Sequence, residues 1–219
     1  MHRTALVFLV ALIACGEHPA ADRAASSSQS SATPAATTSA PATTTAAAGS
    51  IVVRDAGGAE VVSVKSEANG TITIAFTADG AKHTLQGTTR DTGKRKYHAD
   101  NGPVIFEVKP GDDGFKLRTA DGALKWKIKI KDDKIKVSDN EQNANPFELK
   151  KRDGDRVKVV APVDKELGNV RGSDVEGAGG KKLYKVEGAS TYASGVLLLD
   201  TIPPPQRYIL LAELATRTK

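Results

Sequence analysis

The stretch Ala123-Leu-Lys-Trp-Lys-Ile-Lys-Ile-Lys131 alternates apolar and basic side chains over its whole length. Successive side chains of a β-strand point to opposite sides, so this alternation predicts a strand with one apolar and one basic face. The apolar face consists of Leu124, Trp126, Ile128 and Ile130. The basic face consists of Lys125, Lys127, Lys129 and Lys131. Burial of one face only is typical of an antiparallel sheet that packs on a core.

The same pattern extends in both directions from this strand. Asp132-Asp133-Lys134 predicts a turn, and Ile135-Lys136-Val137 predicts the returning strand. Upstream, Asn69-Gly70 and Asp79-Gly80 separate other alternating runs, and both pairs favour tight hairpin turns. Eleven or twelve strands with one apolar face each predict a mainly β fold. We expect an antiparallel meander that closes into a roughly twelve-stranded barrel, or alternatively packs as a sandwich.

The end of the chain has a different character. Thr191–Leu199 ends in Gly-Val-Leu-Leu-Leu, which is apolar on every side and predicts a buried hydrophobic helix. Pro203-Pro204-Pro205 interrupts it, and Pro205–Ala215 predicts a second helix with its proline in the first turn. At about ten residues, the first helix is too short to cross a bilayer.

A long meander followed by a strongly hydrophobic helix resembles the tubby C-terminal and phospholipid scramblase-like superfamily. The likeness covers Phe115–Leu214. It includes the strand-turn-strand units Trp126–Val137 and Phe147–Val159, the segment Glu166–Val170, and the apolar segment Gly195–Leu199. The resemblance implies a twelve-stranded barrel around a central helix, and a module that binds lipid. No phosphoinositide-binding or calcium-binding motif of that superfamily can be aligned residue by residue.

The first fifteen residues predict export. Arg3 and the apolar run Ala5–Ala14 have the basic start and hydrophobic core of a signal peptide. Leu12-Ile13-Ala14-Cys15 resembles the lipobox of bacterial lipoproteins. The resemblance implies cleavage before Cys15 and lipidation of that residue, including palmitate. Gly16 follows in place of the Asp that retains such proteins at the inner membrane, which favours the outer membrane, facing the periplasm or the cell surface.

Composition divides the rest of the chain into a tether and one domain. Residues 16–50 are almost entirely Ala, Ser, Thr and Pro, and such a segment buries too little apolar surface to fold. We therefore predict a signal peptide at 1–14, a lipidated Cys with a disordered tether at 15–50, and a single β-rich domain at 51–219. Cys15 is the only cysteine, so the domain has no disulfide and no thiol nucleophile.

Two basic groups are candidate contacts for an anionic ligand. The first is the lysine stripe Lys125, Lys127, Lys129 and Lys131; the second is the cluster Lys94, Arg95 and Lys96, beside Tyr97 and His98. The plainer interpretation of the stripe is a solvated strand face that discourages edge pairing. The plainer interpretation of the cluster is a solvated turn that leads into a strand.

No sequence motif for catalysis or metal binding is present. The pairs Asp112-Asp113 and Asp132-Asp133 lack the full spacing of a calcium loop and suit hairpin turns instead. Only His83 and His98 lie in the domain, too few for a zinc site. We expect no cofactor, no metal and no catalytic residue. The formal net charge of +5 is modest and does not indicate nucleic acid.

These observations lead to one expected function and two alternatives. We expect a membrane-anchored lipoprotein of the cell envelope, whose β domain is a non-catalytic binding or accessory module. Its partners would be the membrane, through the Cys15 lipid, and an envelope protein, lipid or glycan. The first alternative is a lipid-binding module of the scramblase or tubby kind. The second is an enzyme of unrecognised type.

Overall fold

In the computed structural model, residues 49–218 are described, and they form a closed antiparallel barrel. Each strand pairs with its neighbours along the chain, and β1 pairs with β14 to close the ring. The strands are β1 (Gly49–Asp55), β2 (Glu60–Ser66), β3 (Ile72–Ala78), β4 (Ala81–Thr89), β5 (Arg95–Ala99), β6 (Val104–Gly111), β7 (Gly114–Thr119), β8 (Leu124–Ile130), β9 (Lys134–Ser138), β10 (Phe147–Arg152), β11 (Arg156–Val160), β12 (Glu166–Arg171), β13 (Asp174–Gly177) and β14 (Lys182–Glu187). Closure leaves no exposed sheet edge among these strands.

The predicted mainly β barrel is confirmed, with fourteen strands in the described residues instead of about twelve. β4, β5 and β13 have little apolar alternation, which is why the pattern does not reveal them. The inward positions of β4 and β5 include Gly87 and Arg95, and β13 has only four residues, with Val175 as its buried apolar side chain. The pairing of β1 with β14 decides between barrel and sandwich in favour of the barrel.

The barrel interior is a continuous apolar core. Inward residues from all around the ring are fully buried, among them Val53, Ile74, Val108, Leu117, Ile135, Leu149, Val159 and Val170. Side chains alone fill a barrel of about eight strands, whereas a wider barrel leaves a lumen. A fourteen-stranded barrel therefore needs additional chain to fill its interior.

The C-terminal segment supplies that filling. Helix α1 (Thr191–Ser194) continues into a 3-10 segment, Gly195–Leu198, and helix α2 (Pro204–Ala215) follows. All seven residues from Tyr208 to Leu214 are at most 4% exposed. Seven residues make almost two helical turns, so along this stretch α2 has no side that faces water. The predicted buried hydrophobic helix is confirmed, and the proline-led second helix proves to be buried on every side.

The path of this segment gives the barrel two distinct ends. At one end, which we call the entry end, β1 begins, β14 finishes, and the Ser190 and Thr218 hydroxyl groups lie 2.8 Å apart. At the opposite end, the far end, the indole N–H of Trp126 donates to Gln206 in the first turn of α2 at 2.7 Å. The chain therefore enters the lumen at the entry end, turns near the far end, and returns along α2.

The whole barrel lies within the described residues. All fourteen strands, the core and the closing pair lie within residues 49–218. No helix in this range has the length and hydrophobicity needed to cross a membrane. The predicted signal peptide, Cys15 and almost all of the tether lie outside the described residues.

Candidate functional site

Basic residues are concentrated on six neighbouring strands of the barrel. Strands β7 to β12 carry thirteen basic and two acidic residues, whereas the other eight strands carry eight basic and six acidic residues. We call the surface formed by the first group the basic face. Its members are Lys116, Arg118, Lys125, Lys127, Lys129, Lys134, Lys136, Lys150, Arg152, Arg156, Lys158 and Arg171, whereas the thirteenth basic residue, Lys151, stands opposite the buried Val157 and lies on the inner side at the barrel mouth. The two acidic residues among them are Glu148 and Glu166.

The register of the strands places like charges directly opposite one another. Lys134, Lys150 and Lys158 stand side by side on β9, β10 and β11, and we call them the lysine row. Arg152, Arg156 and Arg171 stand side by side on β10, β11 and β12, and we call them the arginine row. Like charges directly opposite each other on a sheet are destabilising. Each member of the lysine row also lies within salt-bridge distance of a carboxylate, at 3.7 Å for Lys134, 2.8 Å for Lys150 and 2.6 Å for Lys158, which offsets part of this repulsion.

Nine of the twelve cations lie within salt-bridge distance of one of seven carboxylates, so some cations share a carboxylate. Glu141 lies within salt-bridge distance of Lys116 at 2.7 Å, Arg118 at 2.6 Å and Lys127 at 3.9 Å. The hydrogen bond from Lys116 is the largest cause that holds the pKa of the Glu141 carboxyl below its usual value. Such exposed pairs contribute little to stability. One carboxylate shared by three cations leaves this part of the face positive.

Glu148 is shared in the same way. It lies 2.8 Å from Lys150 and 3.2 Å from Lys136. Burial raises the pKa of the Glu148 carboxyl, but the two ammonium groups lower it more, so the net shift is downward. Across the described residues, Arg152 and Arg156 have no salt bridge. The third member of the arginine row, Arg171, lies 3.9 Å from Glu176.

Acidic residues border the basic face at both ends of the barrel. The turns at the entry end contain Asp112, Asp113, Asp132, Asp133, Asp153 and Asp155, and the turns at the far end contain Asp121, Asp139, Glu141 and Asp164. Aspartate suits these turns because its side chain hydrogen-bonds nearby backbone amides, as Asp121 does with the amide of Ala123 at 3.4 Å. Residues 49–218 contain no group of three or more His, Cys, Asp or Glu side chains arranged to hold a metal ion.

The predicted site residues separate into two groups. Lys125, Lys127 and Lys129 project from β8 on the basic face, and Lys131 lies exposed in the following turn. The nitrogen of Lys129 lies 3.0 Å from Asp113. The stripe is thus one strand of a wider basic surface, and its role in ligand binding stays a prediction. Cys15, the predicted lipidation site, lies outside the described residues.

The Lys94-Arg95-Lys96 cluster does not form one surface. Lys94 precedes β5 and Lys96 lies on its outer side, both half-buried, whereas Arg95 is 9% exposed and points into the barrel. Its guanidinium donates to the Glu213 carboxylate at 2.5 Å. Arg95 is therefore committed to an internal partner, and only its two lysine neighbours face outward.

Arg95 belongs to a buried polar network that sequence reasoning missed. Glu213 of α2 is 0% exposed, and it accepts hydrogen bonds from Arg95, from the Tyr97 hydroxyl at 2.8 Å and from Arg217 at 2.9 Å. Burial, followed by the Glu213 charge, raises the pKa of Tyr97 well above its usual value. Burial lowers the pKa of Arg95, but Glu213 and Tyr97 raise it more, and the net shift is upward. Fully paired groups of this kind fix the position of a helix more readily than they perform chemistry.

A cleft of about 730 Å³ opens at the entry end, beside the basic face. Lys151 and Arg156 line one side of it, and Lys185 lines another. The Thr191 hydroxyl, which donates to Asp155 at 2.5 Å, closes its floor. The cleft shares Arg156 with the basic face, and its lining contains three cations and two carboxylates, Asp155 and Glu187.

Comparisons with known proteins add no relative: no family model, no curated protein and no solved structure matches this chain.

Proposed function

We propose that this protein is a lipid-anchored protein of the cell envelope, and that its barrel is a non-catalytic module that binds an anionic partner on its outer surface. The observation that carries the proposal is the basic face on a barrel whose lumen is filled by α2. A filled lumen leaves the outer surface and the entry-end cleft as places for a ligand. Six adjacent strands with thirteen basic residues favour an anionic one.

The anchor rests on the sequence around Cys15. The lipobox-like Leu12-Ile13-Ala14-Cys15 follows an apolar run and precedes an Ala/Ser/Thr/Pro tether. Several acyl chains on one residue would hold a protein at a membrane stably, whereas one chain binds only marginally. Gly16 supports the outer membrane as the destination, facing the periplasm or the cell surface. β1 starts at the entry end, so the tether would connect to the barrel beside the cleft.

Metabolic labelling tests the anchor. The full chain is expressed in a two-membrane bacterium that is fed an alkyne analogue of palmitate, and labelled protein is detected after fractionation. We expect label and membrane association for the wild type, and neither for Cys15→Ser. The double variant Cys15→Ser/Ser50→Cys is the matched control, because it keeps one thiol at another place in the chain. Label on the control, or on Cys15→Ser, would contradict lipidation at Cys15.

A lipid-binding module of the scramblase or tubby kind is the second candidate function. The observation in its favour is a hydrophobic helix enclosed by an antiparallel barrel, the arrangement that the resemblance implies. Mass spectrometry of the purified 49–219 fragment separates the two proposals. Stoichiometric bound lipid would support the lipid-binding module. Clean protein that does not bind anionic vesicles would exclude it and leave the outer-surface binding module.

A further inference from the structure

We infer that the ligand of the basic face is a linear acidic polysaccharide, which lies across strands β7 to β12 between the two acidic borders. This inference rests on the proposed function and specifies the ligand of the same site. It follows from the placement of charge, the shape of the surface and the positions of the aromatic residues.

The charge placement is a regular array. The lysine row and the arginine row each cross three adjacent strands, and neighbouring strands lie about 4.8 Å apart. On β10, Lys150 and Arg152 are two residues apart, so the rows are separated by roughly 7 Å. Repulsion within such rows falls when a chain of anionic groups lies over them. A single small anion would neutralise only part of one row.

The shape of the surface favours a flexible chain over a flat membrane. Six of the fourteen strands cover about two-fifths of the circumference, over a path of roughly 24 Å across the strands. A flat bilayer touches a curved wall over a narrow strip, so it would reach few of these cations at one time. The aspartates in the turns at both ends would also repel an anionic bilayer. A polymer that crosses the strands stays between the borders and follows the curvature.

The aromatic residues favour a polysaccharide over a single-stranded nucleic acid. Proteins that bind single-stranded nucleic acid stack bases on exposed aromatic rings. The aromatic residues of β7 to β12 are Phe115, Trp126 and Phe147. Phe115 is 2% exposed, and the rings of Trp126 and Phe147 pack against the core at the far end. The basic face therefore offers charge without stacking platforms, which suits an acidic sugar chain.

Fluorescence anisotropy with labelled oligogalacturonate tests the inference on the 49–219 fragment, which contains the whole barrel. We expect binding that weakens roughly tenfold or more between 50 and 200 mM salt, as for other interactions that release several counterions. The triple variant Lys134→Gln/Lys150→Gln/Lys158→Gln should weaken binding about tenfold or more at low salt. The matched control is Lys65→Gln/Lys82→Gln/Lys182→Gln, which removes the same charge from β2, β4 and β14 and should change affinity less than threefold.

Other outcomes would overturn the inference. They are tighter binding to an oligonucleotide of equal charge, tighter binding to phosphatidylglycerol vesicles, or equal losses of affinity in the two triple variants. Failure here is distinguishable from failure of the proposed function. If Cys15 is labelled and the folded barrel does not bind oligogalacturonate, the polysaccharide inference is refuted and the lipid anchor is not. Specific oligogalacturonate binding without lipid on Cys15 refutes the anchor alone.

Discussion

Replacement of Glu213 by alanine tests whether the buried network holds α2 inside the barrel. The carboxylate is 0% exposed and accepts hydrogen bonds from Arg95, Tyr97 and Arg217. Its removal leaves the Arg95 guanidinium, with 11% of its side chain exposed, without a counter-charge. Breaking a buried ion pair by removing one partner costs about 3–5 kcal/mol. That loss is a large share of the roughly 5–15 kcal/mol that stabilises a typical domain.

Thermal and urea denaturation of the 49–219 fragment, followed by circular dichroism, provide the measurement. For a domain of this size, 1 kcal/mol corresponds to about 2–4 °C, so Glu213→Ala should lower the Tm by roughly 6–20 °C. The urea midpoint should fall while the slope with denaturant stays the same. An unfolding free energy within 1 kcal/mol of the wild type would refute the reasoning, because it would mean that water reaches Arg95.

A triple variant separates lost charge pairing from lost packing. Arg95→Met/Tyr97→Phe/Glu213→Leu replaces the three groups that meet inside the barrel with apolar side chains of similar size. Apolar replacement of a whole buried network is often neutral or stabilising. We therefore expect the triple variant to regain most of the stability that Glu213→Ala loses. Arg217 needs no replacement, because its side chain is 28% exposed and water can solvate it.

Three further predictions concern the interior. Folding raises the pKa of Tyr97, so above about pH 10 the unfolded chain loses the Tyr97 proton before the folded chain does, and stability falls. Tyr97→Phe should flatten that fall in denaturant titrations between pH 9 and 11. Gly195→Asp should prevent folding, because a Cβ there would lie 2.9 Å from the Leu149 side chain and the carboxylate would enter the core. The control Gly111→Asp, where the nearest atom to a Cβ lies 3.9 Å away, should fold, as judged by circular dichroism. Gly87→Ala places a Cβ 2.6 Å from the Tyr97 ring and should cost about 1–3 kcal/mol in urea unfolding.

The fold class was predictable because a strand that is buried on one side alternates apolar and polar residues along the sequence. β8 shows this best: Ile128 is buried, and Lys127 and Lys129 lie outside, as the pattern requires. The strand number was less predictable. β5 buries Arg95 and Tyr97 instead of aliphatic residues, so its inward positions do not have the composition of a core.

The buried network was not predictable from local pattern. Glu213 lies between Ala212 and Leu214 and has the appearance of one polar position on an amphipathic helix. Its partners on β5 are 118 and 116 residues earlier in the chain, and only closure of the barrel around α2 brings them together. A single Glu within the otherwise apolar run that follows Tyr208 in α2 was the one available signal. It shows that a polar residue is present but does not identify its partner.

The basic face illustrates the same limit, and the register of its rows makes the role of its charges testable. Each lysine is visible in the sequence, but the rows exist only in the register of separate strands, such as Lys134 opposite Lys150 and Lys150 opposite Lys158. Solubility alone does not require rows of like charge, because charges of alternating sign keep a surface hydrated without repulsion across the strands. If the lysine row served solubility alone, its replacement by glutamine should raise stability and leave oligogalacturonate binding unchanged. A variant that becomes more stable and also loses oligogalacturonate would show that the repulsion is retained for binding.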